Sequence, residues 1–201
     1  MKISARIKKA GAVLLAIIVI GASTLYFYGR ANPLVFNESF WRHAHCLKQA
    51  GVAMRFYASD NNGRFPVHTN GYGDALLLIP DAWLPAFTGP GYDVAVLERA
   101  RQTGDDVPED QCGRVYVQGL TTTNSHEIAL MFDKLPNPGD HRHFLPRIWA
   151  KPCREVLFVD GSTRTINETH WPEFAKQQVE LLVDAGIPRE EALAYYTPPS
   201  Q

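Results

Sequence analysis

Four histidines fall in two closely spaced pairs, which raises the question of a shared metal. His43 and His45 flank Ala44, and His141 and His143 flank Arg142. With Cys46 they supply the ligand types that hold zinc. Residues two apart on a helix face different ways, so His43 and His45 cannot readily chelate together there. In an extended segment such residues share a face, which makes His141 and His143 the better pair. Neither pair has the partner spacing of a zinc motif, and surface histidines beside aromatic neighbours is the preferred reading. His126-Glu127 does not open an HExxH motif, because position 130 is Leu.

The acidic residues raise the question of calcium. Asp60-Asn61-Asn62-Gly63 reads like a fragment of a calcium loop, but Phe65-Pro66 stand where further oxygen ligands would be needed. Asp, Asn and Gly favour turns on backbone grounds alone, so a helix-ending turn over Asp60, Asn61, Asn62, Gly63, Phe65 and Pro66 is the better reading. Asp105, Asp106, Glu109 and Asp110 form the main acidic cluster. A solvated loop is preferred there, with Asp105 and Asp106 as weak metal candidates. No cofactor is expected, and calcium is the one ion these acids leave open.

Nucleophile motifs are lacking. The chain has no GxSxG, no phosphate-binding P-loop and no GxGxxG. Ser125-His126-Glu127 are adjacent in sequence, whereas triads are assembled by fold geometry. Catalysis is therefore not expected. The cysteines Cys46, Cys112 and Cys153 contain no CxxC pair. A Cys112–Cys153 disulfide is the candidate bridge, beside the alternative of three free thiols.

These residues must be positioned by a chain of 201 residues that is 45% hydrophobic and 20% charged. That balance supports a folded core. Twenty basic and 21 acidic residues leave a net charge of −1, without the basic surplus that nucleic-acid binding calls for. Lys2, Arg6, Lys8 and Lys9 precede an uncharged run from Ala10 to Tyr28. As a helix that run spans roughly 28 Å, close to the hydrocarbon thickness of a bilayer. The basic flank keeps the N-terminus in the cytoplasm, and Tyr26, Phe27 and Tyr28 suit the far interface. Gly21-Ala22-Ser23 would allow signal-peptide cleavage, but the bulky aromatics that follow favour a retained anchor. The expected organisation is a basic segment over 1–9, an anchor over 10–28, a linker over 29–39 and an extracytoplasmic domain over 40–201.

Within that domain, Phe40, Ala44, Leu47, Gly51, Met54 and Ala58 draw one helical stripe, which the Ser59–Gly63 turn ends. Strands are expected over 114–118, 127–132 and 155–159. Asp160-Gly161 turns the last of these into a hairpin with STRTI. Helices are expected from Trp171-Pro172, with Thr169 as cap, and from Pro188 through Tyr196. The predicted fold class is α+β: an N-terminal transmembrane helix, an amphipathic helix packed on a small antiparallel sheet, and C-terminal helices.

The stretch CLKQAGVAMRFYASDNNGRFP, Cys46 to Pro66, resembles the LKxxGxAxxxYxxDNxGRFP pattern of prepilin-type proteins, including the major pseudopilins of type II secretion. REVLFVDGSTRTI is similar to the strand-DG-strand hairpin near the end of those proteins. The resemblance implies a pilin-like fold, a single-pass protein of the bacterial inner membrane, and a non-enzymatic role through contacts with other envelope or pilin-like proteins. Lys9-Ala10-Gly11-Ala12-Val13-Leu14 departs from the family's GFTLIE-like processing motif, and the apolar run has no Glu. The alternative is a membrane-tethered periplasmic metal-binding protein or hydrolase using the His141 and His143 loop.

Overall fold

The computed structural model describes residues 15, 17–24, 38–87, 89, 93–136 and 152–197. The chain divides into two units, Met1–Glu38 and Ser39–Gln201. In the first, residues 17–24 are helical, and Leu15 with Ile17 through Ile20 are each more than half exposed. The Thr24 hydroxyl donates back to the Ile20 carbonyl at 2.8 Å. Among the described residues no helix is long and apolar enough to cross a membrane. The expected anchor over 10–28 lies partly outside those residues.

The second unit begins with helix α1, Glu38–Asp60, so the last two positions of the expected linker lie at or inside the helix start. Leu47, Gly51, Met54 and Ala58 of the expected stripe are buried, joined by Ala50 and Ala53, while Lys48, Gln49 and Arg55 are exposed; the side chains of Phe40 and Ala44 lie outside the described residues. Its small residues bring the helix close to the sheet. A Cβ on Gly51 would stand 2.8 Å from Leu157 Cδ1 and 3.6 Å from the Gly161 carbonyl.

The helix ends as its residues dictate. Asn62 and Gly63 both take positive φ, 55° and 78°. The Gly63 N–H reaches back to the Ala58 carbonyl at 2.7 Å, a six-residue closure that satisfies a helix-terminal acceptor. The chain then pairs with residues 120–122: Phe65 N–H donates to Leu120 and Thr122 N–H to Gly63. Phe65 and Pro66 are buried, and the Pro66 carbonyl accepts from the Tyr116 hydroxyl at 2.7 Å.

Next come α2 (Tyr72–Leu76), a 3-10 turn over Asp81–Ala86 and α3 (Val94–Thr103). Asp93 caps α3 by accepting from Ala95 N–H at 3.0 Å, and Gly104 closes it with φ 74°. Gly73 passes so near the Val107 carbonyl that a Cβ would stand 2.2 Å from it.

Four antiparallel strands run in the order β1-β2-β3-β4. They are β1 (Arg114–Tyr116), β2 (Ala129–Asp133), β3 (Cys153–Phe158) and β4 (Thr163–Asn167). The fold is thus α+β, with the small antiparallel sheet expected. The first strand starts at Arg114 as expected and ends two residues early, and the second starts at Ala129 because Ser125 to Ile128 is a turn, closed by Ile128 N–H on the Ser125 carbonyl. Neighbouring residues of a strand point to opposite faces. Leu157 meets α1, while Phe158 lies 6.3 Å from Phe174 of α4 (Trp171–Asp184). The edge strand β4 has no buried residue, whereas both faces of the sheet are covered at β2, which is buried at all five positions. That is why ALMFD carries no alternation of apolar and polar residues. Helix α4 starts at Trp171-Pro172 as expected, but His170 and not Thr169 occupies the cap. Helix α5 (Arg189–Tyr196) follows Pro188.

The expected Cys112–Cys153 bridge is not formed. Cys112 is a buried free thiol, and burial pushes its pKa up to about 12. Strand β2 lies between β1 and β3, so positions level with one another on the outer two are about 9–10 Å apart. A disulfide tolerates no more than about 7 Å between Cα atoms.

Candidate functional site

A concavity of about 720 Å³ lies between the β1–β2 face of the sheet and helices α4 and α5. Strand alternation sends Val115 of β1 and Phe132 of β2 to this side, since they are register partners. Trp171 enters from the start of α4, and Tyr195 and Tyr196 from the end of α5. Tyr196 stacks on Phe132 with 4.7 Å between ring centroids, and Trp171 is tilted against both, at 5.3 Å from Phe132 and 6.1 Å from Tyr196.

Charged groups rim this aromatic wall. Arg154 of β3 forms a bidentate pair with Glu168, at 3.0 and 2.9 Å, and donates to the Lys134 carbonyl at 2.7 Å. Its guanidinium sits 4.4 Å above the Trp171 ring centroid. Lys134 donates to the Glu109 carbonyl at 2.8 Å. The Tyr195 hydroxyl accepts from Gln118 N–H and donates to Glu191 Oε1, at 3.3 and 3.1 Å. The Tyr196 hydroxyl is shielded from solvent and has no hydrogen-bond partner among the described residues. Burial raises both phenols above their ordinary range, so both stay protonated.

The acidic cluster read from the sequence is split by the fold. Asp105 accepts from the Thr103 hydroxyl at 2.7 Å, and Asp106 from the Asn70 amide at 2.9 Å. Glu109 and Asp110 instead line the groove. Among the described residues no three His, Cys, Asp or Glu side chains converge as a metal site. His141 and His143 lie outside the described residues. At the Asp60 to Pro66 turn, Asp60 is exposed and Asn61 donates to the Tyr57 carbonyl at 2.8 Å, so the hydrogen bonds there close the helix. The Ser125 hydroxyl accepts from Glu127 N–H at 3.3 Å, a local turn contact.

Sequence reading missed the groove because its residues come from six separate stretches. The one available signal was the aromatic pairing of WPEF and AYY at the two ends of the C-terminal helices. No family model, curated protein or solved structure matches this chain.

Proposed function

We propose that this chain is a single-pass envelope protein of pilin-like build. Its N-terminal segment holds it in the bacterial inner membrane, residues 40–201 lie outside the cytoplasm, and it acts by contacting other proteins and not by catalysis. The observation that carries the reading is the outer face of α1. Val52 is 46% exposed and Phe56 63% exposed, one helical turn apart, on a helix whose other face is in the core. Covering such side chains in an interface is favourable by about 1.5–3 kcal/mol for each one fully buried. The tether is supported by the uncharged run after Lys9 and by the five exposed aliphatic side chains at Leu15 and Ile17 through Ile20, which lipid would cover.

The test is a photo-reactive residue placed at position 56 of the full-length chain in its native membrane. Cross-links to envelope proteins are expected there and not at Glu98, an exposed charged position on α3. Cross-linking that is absent at 56, or equal at both positions, overturns the contact reading.

A further inference from the structure

We propose that the groove beneath α4 and α5 docks a basic peptide segment of a partner protein, one with an apolar or aromatic side chain flanked by cations. This names a partner chemistry for the protein-contact reading and rests on it. The apolar part follows from the wall of Phe132, Trp171 and Tyr196, and the size of about 720 Å³ suits a few residues of peptide.

The charge part follows from which groups are already satisfied. Lys134 and Arg154 are both committed to acceptors of this chain: Lys134 to a carbonyl, Arg154 to Glu168 and to a carbonyl. Among the described residues, Glu168 is the one groove carboxylate with a cation on it, and Glu109 accepts from Tyr72 N–H at 3.2 Å. Asp110 and Glu191 are exposed at the rim, and Glu191 holds only the Tyr195 hydroxyl. An anionic ligand would meet this acidic excess, and a neutral apolar one would desolvate it without compensation. A cationic peptide neutralises it. Arg154 above Trp171 shows that the aromatic wall accepts a guanidinium.

The test is calorimetric titration of the full-length chain in neutral detergent with two capped tripeptides, Arg-Trp-Arg and Glu-Trp-Glu. The basic peptide should bind at least about tenfold more tightly. Asp110→Asn with Glu191→Gln should weaken it by roughly tenfold, the range expected for two exposed charge pairs. Glu98→Gln with Asp184→Asn, exposed positions away from the groove, removes the same charge and should leave binding unchanged. Asp110→Asn alone, in an exposed turn, keeps the test valid if the double variant unfolds; it should weaken binding about threefold. Equal affinity for both peptides, no binding, or equal loss in the distal pair overturns the groove proposal. Cross-links retained at position 56 under those results would leave the protein-contact reading standing, so the two failures are distinguishable.

Discussion

Arg114 and Asp133 meet across the β1–β2 pair at 3.1 Å between Nε and Oδ1, and each is only 1% exposed. Arg114 also donates to the Ala86 carbonyl, and Asp133 Oδ2 accepts from Glu155 N–H. The pair therefore fixes the end of the 3-10 turn, β1, β2 and β3 in one place. Removing one partner leaves a buried charge without its counterpart. Arg114→Met and Asp133→Asn should each lower stability by about 3–5 kcal/mol, with a strong coupling term in the double variant. Denaturant unfolding of the unaltered protein, the two single variants and the double variant measures it, and additive effects would refute the coupling.

The end of α1 gives a second expectation. Gly63 has φ 78°, and a Cβ there would stand 2.8 Å from the Thr122 hydroxyl. Gly63→Ala should cost about 1 kcal/mol or more. Leu47→Ala and Met54→Ala, both at positions with 0% exposure, should cost roughly 2–5 kcal/mol each. Calcium should not shift the melting temperature through Asp60. A calcium-dependent rise that is lost in Asp60→Asn would show that the turn binds metal.

The contrast between these two sites explains what was legible in the sequence. The turn over Asp60 to Pro66 and the hairpin at Asp160-Gly161 are local: the residues that need positive φ or a short reversal are the residues present. Trp171-Pro172 and Pro188 mark helix starts for the same reason. The Arg114–Asp133 pair joins residues 19 apart and depends on strand register. The expected second strand ended at Phe132, one residue short of Asp133, and no register was derivable, so the pairing was not either. The expected Cys112–Cys153 bridge failed through the same ignorance of register and strand order. Gly51 and Gly73 carry no local signal of the close approach each permits.

The C-terminal wall of the groove depends on the junction of α4 and α5, where Arg189 holds Glu180 by two hydrogen bonds of 2.9 and 2.6 Å. That fork keeps the Glu180 carboxyl below its usual range. A depressed carboxylate contributes stability that is present above its unfolded pKa, about 4.3, and is lost as pH falls through the folded value. Glu180→Gln should therefore show a shallower loss of melting temperature on acidification below about pH 5. An acid limb as steep as that of the unaltered protein would contradict the linkage.

Cys112 should behave as an inert thiol. Burial raises its pKa to about 12, so little thiolate exists at pH 8. Alkylation followed by peptide mapping should label Cys112 only after denaturation, and no Cys112–Cys153 cross-linked peptide should be found without reductant. Rapid labelling of the native protein, or such a cross-linked peptide, would contradict the placement of both residues.

The envelope reading requires residues 40–201 to lie across a membrane from Lys2, Arg6, Lys8 and Lys9. Paired fusions after Gln201 test this directly, one carrying a reporter active only outside the cytoplasm and one carrying a reporter active only inside. The account predicts an active external reporter, a silent internal one, and both fusions in the membrane fraction. A silent external reporter with an active internal one would contradict it.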